Sequence, residues 1–290
     1  MSERPVNGAS TSRGRRTSLT AFVLGGGGNL GAVQVGMVRA LLHRGVHPDM
    51  VLGCSVGALN GAAIAGDPTV AGVERLAETW RTLRSDSLFP TAGLGSVMGL
   101  LRRGRYALGK NDGLRRLIEE VASFTTFEEA TVPLHVVATS LATGAERWFH
   151  SGPILEPILA SAALPAVFPP VEIDGELHVD GAVVDNVPIA RAVELGAERI
   201  YVCHVGNFQR ARPQPKRPID VLLQSFSIAR NHRFSSEAAR GWTGVELVVL
   251  PAVDPGTIGR ADFRRTSELI DLGFESALTV LIDTPTPAVG

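Results

Sequence analysis

Cysteine is nearly absent from this 290-residue chain: Cys54 and Cys203 are the only two. Two are too few for a disulfide framework, and their spacing matches no metal-binding pattern. The sequence therefore points to a reduced, cytoplasmic setting. Net charge is equally scant, −1 at pH 7, so the whole chain sets up no field that would favour nucleic acid or an anionic membrane. Lysine occurs twice, at Lys110 and Lys216, and arginine supplies the remaining basic charge, an imbalance that points to a GC-rich genome and not to a function. No apolar run approaches the ~20 residues of a membrane span. No internal repeat is visible. No cluster of Asp, Glu or His has metal-ligand spacing or resembles a calcium loop, so neither a metal nor another cofactor is expected. Oligomeric state leaves no trace in the sequence.

What the chain does have is a hydrophobic fraction of 44% beside 20% charged residues, enough to bury a sizeable core. Residues 1–18 are rich in Ser, Arg, Gly and Thr and read as a disordered tail; 19–282 read as one folded domain, and 283–290 as a second tail. Arg15 and Arg16 ahead of Leu19–Leu24 loosely resemble a twin-arginine export signal. The apolar stretch is short, however, and runs straight into a glycine loop that the chemistry below requires. Cleavage after it would remove functional parts.

From Leu19 onward, strand-like and helix-like segments alternate. Strands are predicted at Thr20–Leu24, Met50–Cys54, Leu134–Ser140, Glu146–Phe149, Ile200–His204 and Val245–Leu250. Val171–Val179 reads as a hairpin turning at Asp174-Gly175. Helices are predicted at 30–44, 56–65, 70–83, 111–123, 191–195, 219–234 and 266–281. Residues 85–110 are glycine-rich and irregular, a candidate cover with scattered apolar residues, and 206–218 read as a surface loop. Alternation of this kind implies an α/β domain with a largely parallel sheet.

Three stretches are candidates for chemistry. In Gly53-Cys54-Ser55-Val56-Gly57 a serine stands between glycines where a strand hands over to a helix. A nucleophile on such a turn adopts a strained backbone, so its neighbours must be nearly free of side chain. The following helix would direct the positive end of its dipole at the same point. The plain alternative is a small-residue turn that packs a helix on a strand. In Gly25-Gly26-Gly27-Gly28-Asn29-Leu30-Gly31, Gly26, Gly28 and Gly31 match a dinucleotide-binding turn. That use requires an acid at the end of the second strand, where Cys54-Ser55 stands instead. The same free amides, at Gly26, Gly27 and Gly28, would serve as an oxyanion hole; a plain glycine hinge is the third reading. In "HVDGAVVDNVP", His178 to Pro188, Asp180 precedes Gly181 and Ala182, small residues that leave its carboxylate approachable. It would act as the base that a serine nucleophile needs, with Asp185 as its rival and a turn-forming role as the alternative for both.

Seven histidines occur: His43, His47, His135, His150, His178, His204 and His232. An α/β-hydrolase triad would need one after the acid, hence His204 or His232. Neither sits in a distinctive loop, and only one strand-helix unit precedes Ser55, where that fold usually has several strands.

Together the three stretches resemble the patatin-like phospholipase family. "GGGNLGAVQVGMVRAL" from Gly26 resembles its glycine-rich motif, "GCSVGALNGA" its nucleophile elbow, and "ASAALPAVFPPVEIDGELHVDGAVVDNVP", Ala160 to Pro188, the region of its catalytic aspartate. The resemblance runs from Leu19 to His204. It implies a three-layer α/β/α sandwich and a Ser-Asp dyad without histidine. Ser55 would be the nucleophile and Asp180, followed by Gly181 and Ala182, the base. Gly26, Gly27 and Gly28 would be the oxyanion donors, with Gly31, Gly53 and Gly57 as supporting motif residues. It further implies hydrolysis of acyl esters of phospholipids or other lipids, with transient contact to a membrane surface. One departure stands out. The family usually carries Arg or Lys before the last glycine of the glycine motif, and here that residue is Leu30. A non-catalytic regulator on the same fold is therefore an alternative expectation. Cys54 and Val56 are mild variations on the elbow.

Overall fold

A computed structural model describes residues 18–88, 110–206, 214–216, 218–254 and 262–281. The expected tails, apart from Ser18, lie outside the described residues, as do most of the candidate cover and most of the loop 206–218.

The strands in chain order are β1 (Thr20–Leu24), β2 (Met50–Cys54), β3 (Leu134–Ser140), β4 (Glu146–Phe149), β5 (Val171–Ile173), β6 (Glu176–Asp180), β7 (Arg199–Cys203) and β8 (Glu246–Val249). The helices are α1 (Gly31–His43), α2 (Val56–Gly66), α3 (Val70–Thr82), the single turn α4 (Ser85–Leu88), α5 (Asp112–Val121), α6 (Leu155–Ser161), α7 (Ile189–Glu194), α8 (Pro218–Ala238) and α9 (Thr266–Leu281). All strands join one sheet whose pairing runs β5-β6-β3-β2-β1-β7-β8, with β4 also on β3. The five strands from β3 to β8 along that path pair in parallel, and the contacts of β3 with β4 and β6, and of β5 with β6, are antiparallel.

The alternation of β1 explains the layering. Phe22 and Leu24 point into a core shared with α1, α2, α3 and α9, whereas Ala21 and Val23 point into a second core with α7 and Phe234 of α8. A sheet buried on both faces gives the continuous apolar strands read in the sequence. The result is the expected mixed α/β fold, with helices above and below a mostly parallel sheet. α1 and α9 pack with almost no gap, because a Cβ at Gly36 would lie 2.0 Å from the Ile270 carbonyl oxygen.

Three differences from the sequence reading matter. First, α1 starts at Gly31 after a 3₁₀ turn over Gly28–Leu30. Second, α6 was not foreseen. Its Pro157 falls in the first turn, where a missing N–H breaks no intrahelical bond, and seven residues are too few to show a period. Third, α8 runs four residues past Phe234, supported by an Arg233–Glu237 ion pair at 3.1 Å one turn apart.

Candidate active site

Ser55 sits at φ 56°, ψ −126°, between the last residue of β2 and the first of α2. A non-glycine residue with positive φ is strained by about 1–3 kcal/mol and persists only where its surroundings over-determine it. Here they do. β2 is paired on both edges, with β1 and β3. The Ser55 N–H donates to Ser161 Oγ at 2.8 Å, and its carbonyl accepts from Ala58 N at 2.9 Å. The neighbouring glycines allow the close approach: Cβ atoms at Gly53, Gly57 and Gly181 would lie 2.5, 2.1 and 2.4 Å from the carbonyl oxygens of Gly57, Leu24 and Val137. Gly31 abuts Val56 and Trp80 in the same way. Ser55 itself stays half-buried, so part of the residue remains open to solvent.

Asp180 is brought to Ser55 by β3. β4 overlaps both β2 and β6 in its pairing with β3, at Val136–Val137 and at Ala138–Thr139 respectively. β2 and β6 must therefore share the other edge, β2 as far as Cys54 opposite Val137 and β6 from Asp180 opposite Ala138. Cys54 and Asp180 thus occupy consecutive rungs. The Asp180 backbone is fixed by its N–H to Ala163 O at 3.0 Å and by Thr139 Oγ1 donating to its carbonyl at 2.9 Å. Its Oδ1 accepts from Ala182 N–H at 2.9 Å, and its Oδ2 accepts from Ser55 Oγ at 2.7 Å. Asp180 is 2% exposed. Burial pushes its pKa up from 3.8 to about 6, against the opposing pull of the Ala182 and Ser55 hydrogen bonds and the Arg230 charge.

Asp185, the rival acid, is also buried but makes no hydrogen bond to Ser55 among the described residues. Burial, with the charges of Glu237 and Glu146 adding and Arg233 opposing, raises its pKa to about 7. The two candidate histidines are not bonded to Ser55 among the described residues. The His204 ring stacks on Phe234 at 4.3 Å between centroids, and His232 is exposed on α8.

The glycine loop arrives at Ser55 from β1. Gly25 N–H donates to Cys203 O and Gly26 N–H to Asn186 O, both at 3.3 Å. The Gly26 amide, expected among the oxyanion donors, thus also meets a carbonyl of the loop after Asp180. The N–H groups of Gly27 and Gly28 meet no backbone acceptor among the described residues, and solvent reaches both residues. Gly28 is at φ 63°, a conformation that suits glycine.

Sequence reasoning missed the scaffold that holds this loop. Gln34 Nε2 donates to Gly25 O at 2.5 Å and Cys203 O at 3.0 Å. Asn60 Nδ2 donates to Gly31 O and to Gln34 Oε1, both at 3.0 Å, and Trp80 Nε1 donates to Asn60 Oδ1 at 2.8 Å. The chain of bonds ties the loop to α1, α2 and α3 without leaving any of its members unpaired. A signal existed: Asn60 is the single large polar residue of α2, and Gln34 stands among the buried apolar residues of the first turns of α1. Ser161 was missed as well, within a run of small residues that names no partner. Among the described residues, no three His, Cys, Asp or Glu side chains group as metal ligands, and no helix is long and apolar enough to cross a membrane.

The sequence pattern described as Patatin-like phospholipase matches residues 22–193, more than half of the chain, and covers Gly26–Gly31, Ser55 and Asp180 alike. The chain belongs to the patatin-like phospholipase family. The chain is 30% identical over 195 residues to an uncharacterised NTE family protein of Mycobacterium tuberculosis, covering 67% of this chain and 51% of that one. It is 29% identical over 203 residues to a lysophospholipase of Mycosarcoma maydis, covering 67% of this chain and 10% of that protein. The chain thus spans about half the length of the mycobacterial relative and a small part of the fungal one. VipD from Legionella pneumophila shares the patatin-like fold, with a TM-score of 0.51 and 15% identity over 91% of this chain and 67% of that chain.

Proposed function

We propose that the chain is a serine acyl hydrolase that cleaves acyl esters of lipids, phospholipids among them, through a Ser55–Asp180 dyad. The 2.7 Å hydrogen bond from Ser55 Oγ to Asp180 Oδ2 carries this reading. Asp180 accepts the hydroxyl proton as Ser55 Oγ attacks the ester carbonyl. The negative charge that develops on the carbonyl oxygen is met by the amides of Gly27 and Gly28, fixed in place before the reaction. As the tetrahedral species collapses, the carbon–oxygen bond to the alcohol breaks, and Asp180 returns its proton to the departing oxygen. The same carboxylate then takes a proton from water, whose oxygen attacks acyl-Ser55, and collapse releases the fatty acid and restores the serine. A carboxylate with a pKa of about 6 suits both directions of transfer near neutral pH. Relatives named as lysophospholipases support lipid esters as the substrate class, and a lipid substrate brings with it transient contact with a membrane surface.

The test is labelling with a fluorophosphonate, which requires an activated serine and a working oxyanion hole, followed by peptide mapping. Modification at Ser55, absent from Ser55→Ala and Asp180→Asn, is the expected result. A folded wild-type protein that remains unlabelled, or a label on another serine, overturns the reading.

A further inference from the structure

Asn186 follows Asp180 by six residues, in the loop that leads into α7, and nothing in the sequence marks it out. Its backbone carbonyl receives the Gly26 N–H, which lays the residue against the glycine loop. Its side chain then runs along that loop. A Cβ built on Gly25 would lie 3.6 Å from Asn186 Nδ2. One built on Gly26 would lie 2.6 Å from Asn186 Oδ1 and 3.0 Å from Ser55 Cβ. One end of the carboxamide and the Ser55 side chain therefore flank the same small space beside Gly26.

The residue is 3% exposed, yet both Oδ1 and Nδ2 are buried without a hydrogen-bond partner among the described residues. A buried polar group left unsatisfied costs about 1–3 kcal/mol, and native proteins retain such groups where a function offsets the cost. The contrast with Asn60 is instructive. Asn60 is equally buried but has partners at both ends of its amide. Oδ1 lies on the Gly26 side and Nδ2 on the Gly25 side; because neither has a hydrogen-bond partner among the described residues, exchanging the two ends of the amide breaks no hydrogen bond and sets the NH₂ on the side of Ser55.

We infer that Asn186 is a third polar catalytic residue: its side-chain NH₂ donates to the oxyanion formed on Ser55, replacing the donor that Gly26 has given to the Asn186 carbonyl. This rests on the acyl-hydrolase reading above. A donor that is unsatisfied in the free enzyme and satisfied as charge develops binds the transition state in preference to the ground state. It should therefore act on kcat and leave KM nearly untouched.

Two near-isosteric variants test it. Asn186→Leu removes the polar group, and Asn186→Asp keeps the shape but loses the donor. For each, kcat and KM on a soluble p-nitrophenyl ester, the rate of fluorophosphonate labelling at Ser55, and Tm are measured. Both variants are expected to lose about 10²–10³-fold in kcat, with KM within about threefold and labelling slowed in parallel with kcat. Asn186→Leu should also have a Tm equal to or above that of the wild type, because it removes two unsatisfied buried atoms. A purely structural Asn186 predicts the reverse pattern, a lowered Tm with kcat retained in the folded fraction. A kcat within about threefold of wild type in either variant overturns the inference, and Asn186→Asp decides alone should the leucine variant not fold. Wild-type protein labelled at Ser55 beside variants labelled equally fast rejects Asn186 only. Wild-type protein that is not labelled at all rejects the acyl-hydrolase reading beneath it.

Discussion

In the proposed reaction Asp180 has to be two things at once, and its surroundings divide the work. Burial lifts its proton affinity, as a base that accepts from a hydroxyl requires, while the Ala182 amide and the Ser55 hydroxyl keep its oxygens oriented. In the proposed reaction Asp180→Asn leaves the hydrogen-bond geometry nearly intact but removes the base, so kcat should fall by about 10²–10⁴-fold. Steady-state kinetics on a soluble ester reads this directly. The ionised carboxylate is the active form, so kcat/KM should rise with pH through an acid limb near 6. Ser55 stood out in the sequence because its turn admits only small neighbours, whereas Asp180 was set apart from Asp185 only by the family resemblance. Ser161 and Asn186 were not, since a hydroxyl or amide that serves a residue 106 or 131 positions away leaves no local pattern.

At the scale of elements, the glycine loop is held by side chains of three helices as well as by its own backbone bonds. Gln34, Asn60 and Trp80 come from α1, α2 and α3, and the chain of bonds between them ends on the carbonyls of Gly25, Gly31 and Cys203. Trp80→Phe removes one N–H and leaves Asn60 Oδ1 unsatisfied, a cost of about 1–3 kcal/mol. Thermal melting should register it, at about 2–4 °C per kcal/mol, and fluorophosphonate labelling should slow as the loop loosens. α8 contributes differently. Phe226 packs against Cys54, Val137 and Ala182, Phe234 stacks on His204, and Arg230 lies between them in the helix, with its guanidinium 6.0 Å from the Phe226 ring centre. The Arg230 charge favours the Asp180 carboxylate. Arg230→Gln should therefore move the acid limb of kcat/KM to higher pH, and a limb that stays or moves down contradicts that placement. The extent of α8 was read short because its apolar period ends at Phe234, whereas the helix is carried further by a surface ion pair that hydrophobic pattern does not register.

For the molecule as a whole, the order of elements and the parallel sheet were legible because both faces of the sheet are buried and each strand reads as an apolar run. What the pattern does not contain is the lateral order of the strands, with β2 and β6 meeting on β3 across more than a hundred residues of chain. Global stability carries a trace of the buried acids. Asp185 binds its proton more tightly in the folded protein than its ordinary value of 3.8, at about 7. Its stabilising contribution is thus complete below about pH 4 and is lost as pH rises through 7, when the buried group must ionise. His135 and His204, held neutral with pKa values of about 4 and about 3, pull stability in the opposite sense at acid pH, so the difference between variant and parent isolates the acid. The Tm of Asp185→Asn minus that of the wild type should be near zero at pH 4 and positive by pH 8.

The shared edge of β3 has a consequence for how such a chain can change over time. The distance between hydroxyl and carboxylate is gauged by a strand that supplies no reacting atom, through the single step from Val137 to Ala138. One residue inserted at that step would leave the elbow, the glycine loop and the aspartate turn each whole, yet part the two groups by a full rung. Lineages of this fold should therefore tolerate drift in the identity of β3 residues far better than any change in their number, and lost activity can begin with an indel in a segment where no functional residue stands.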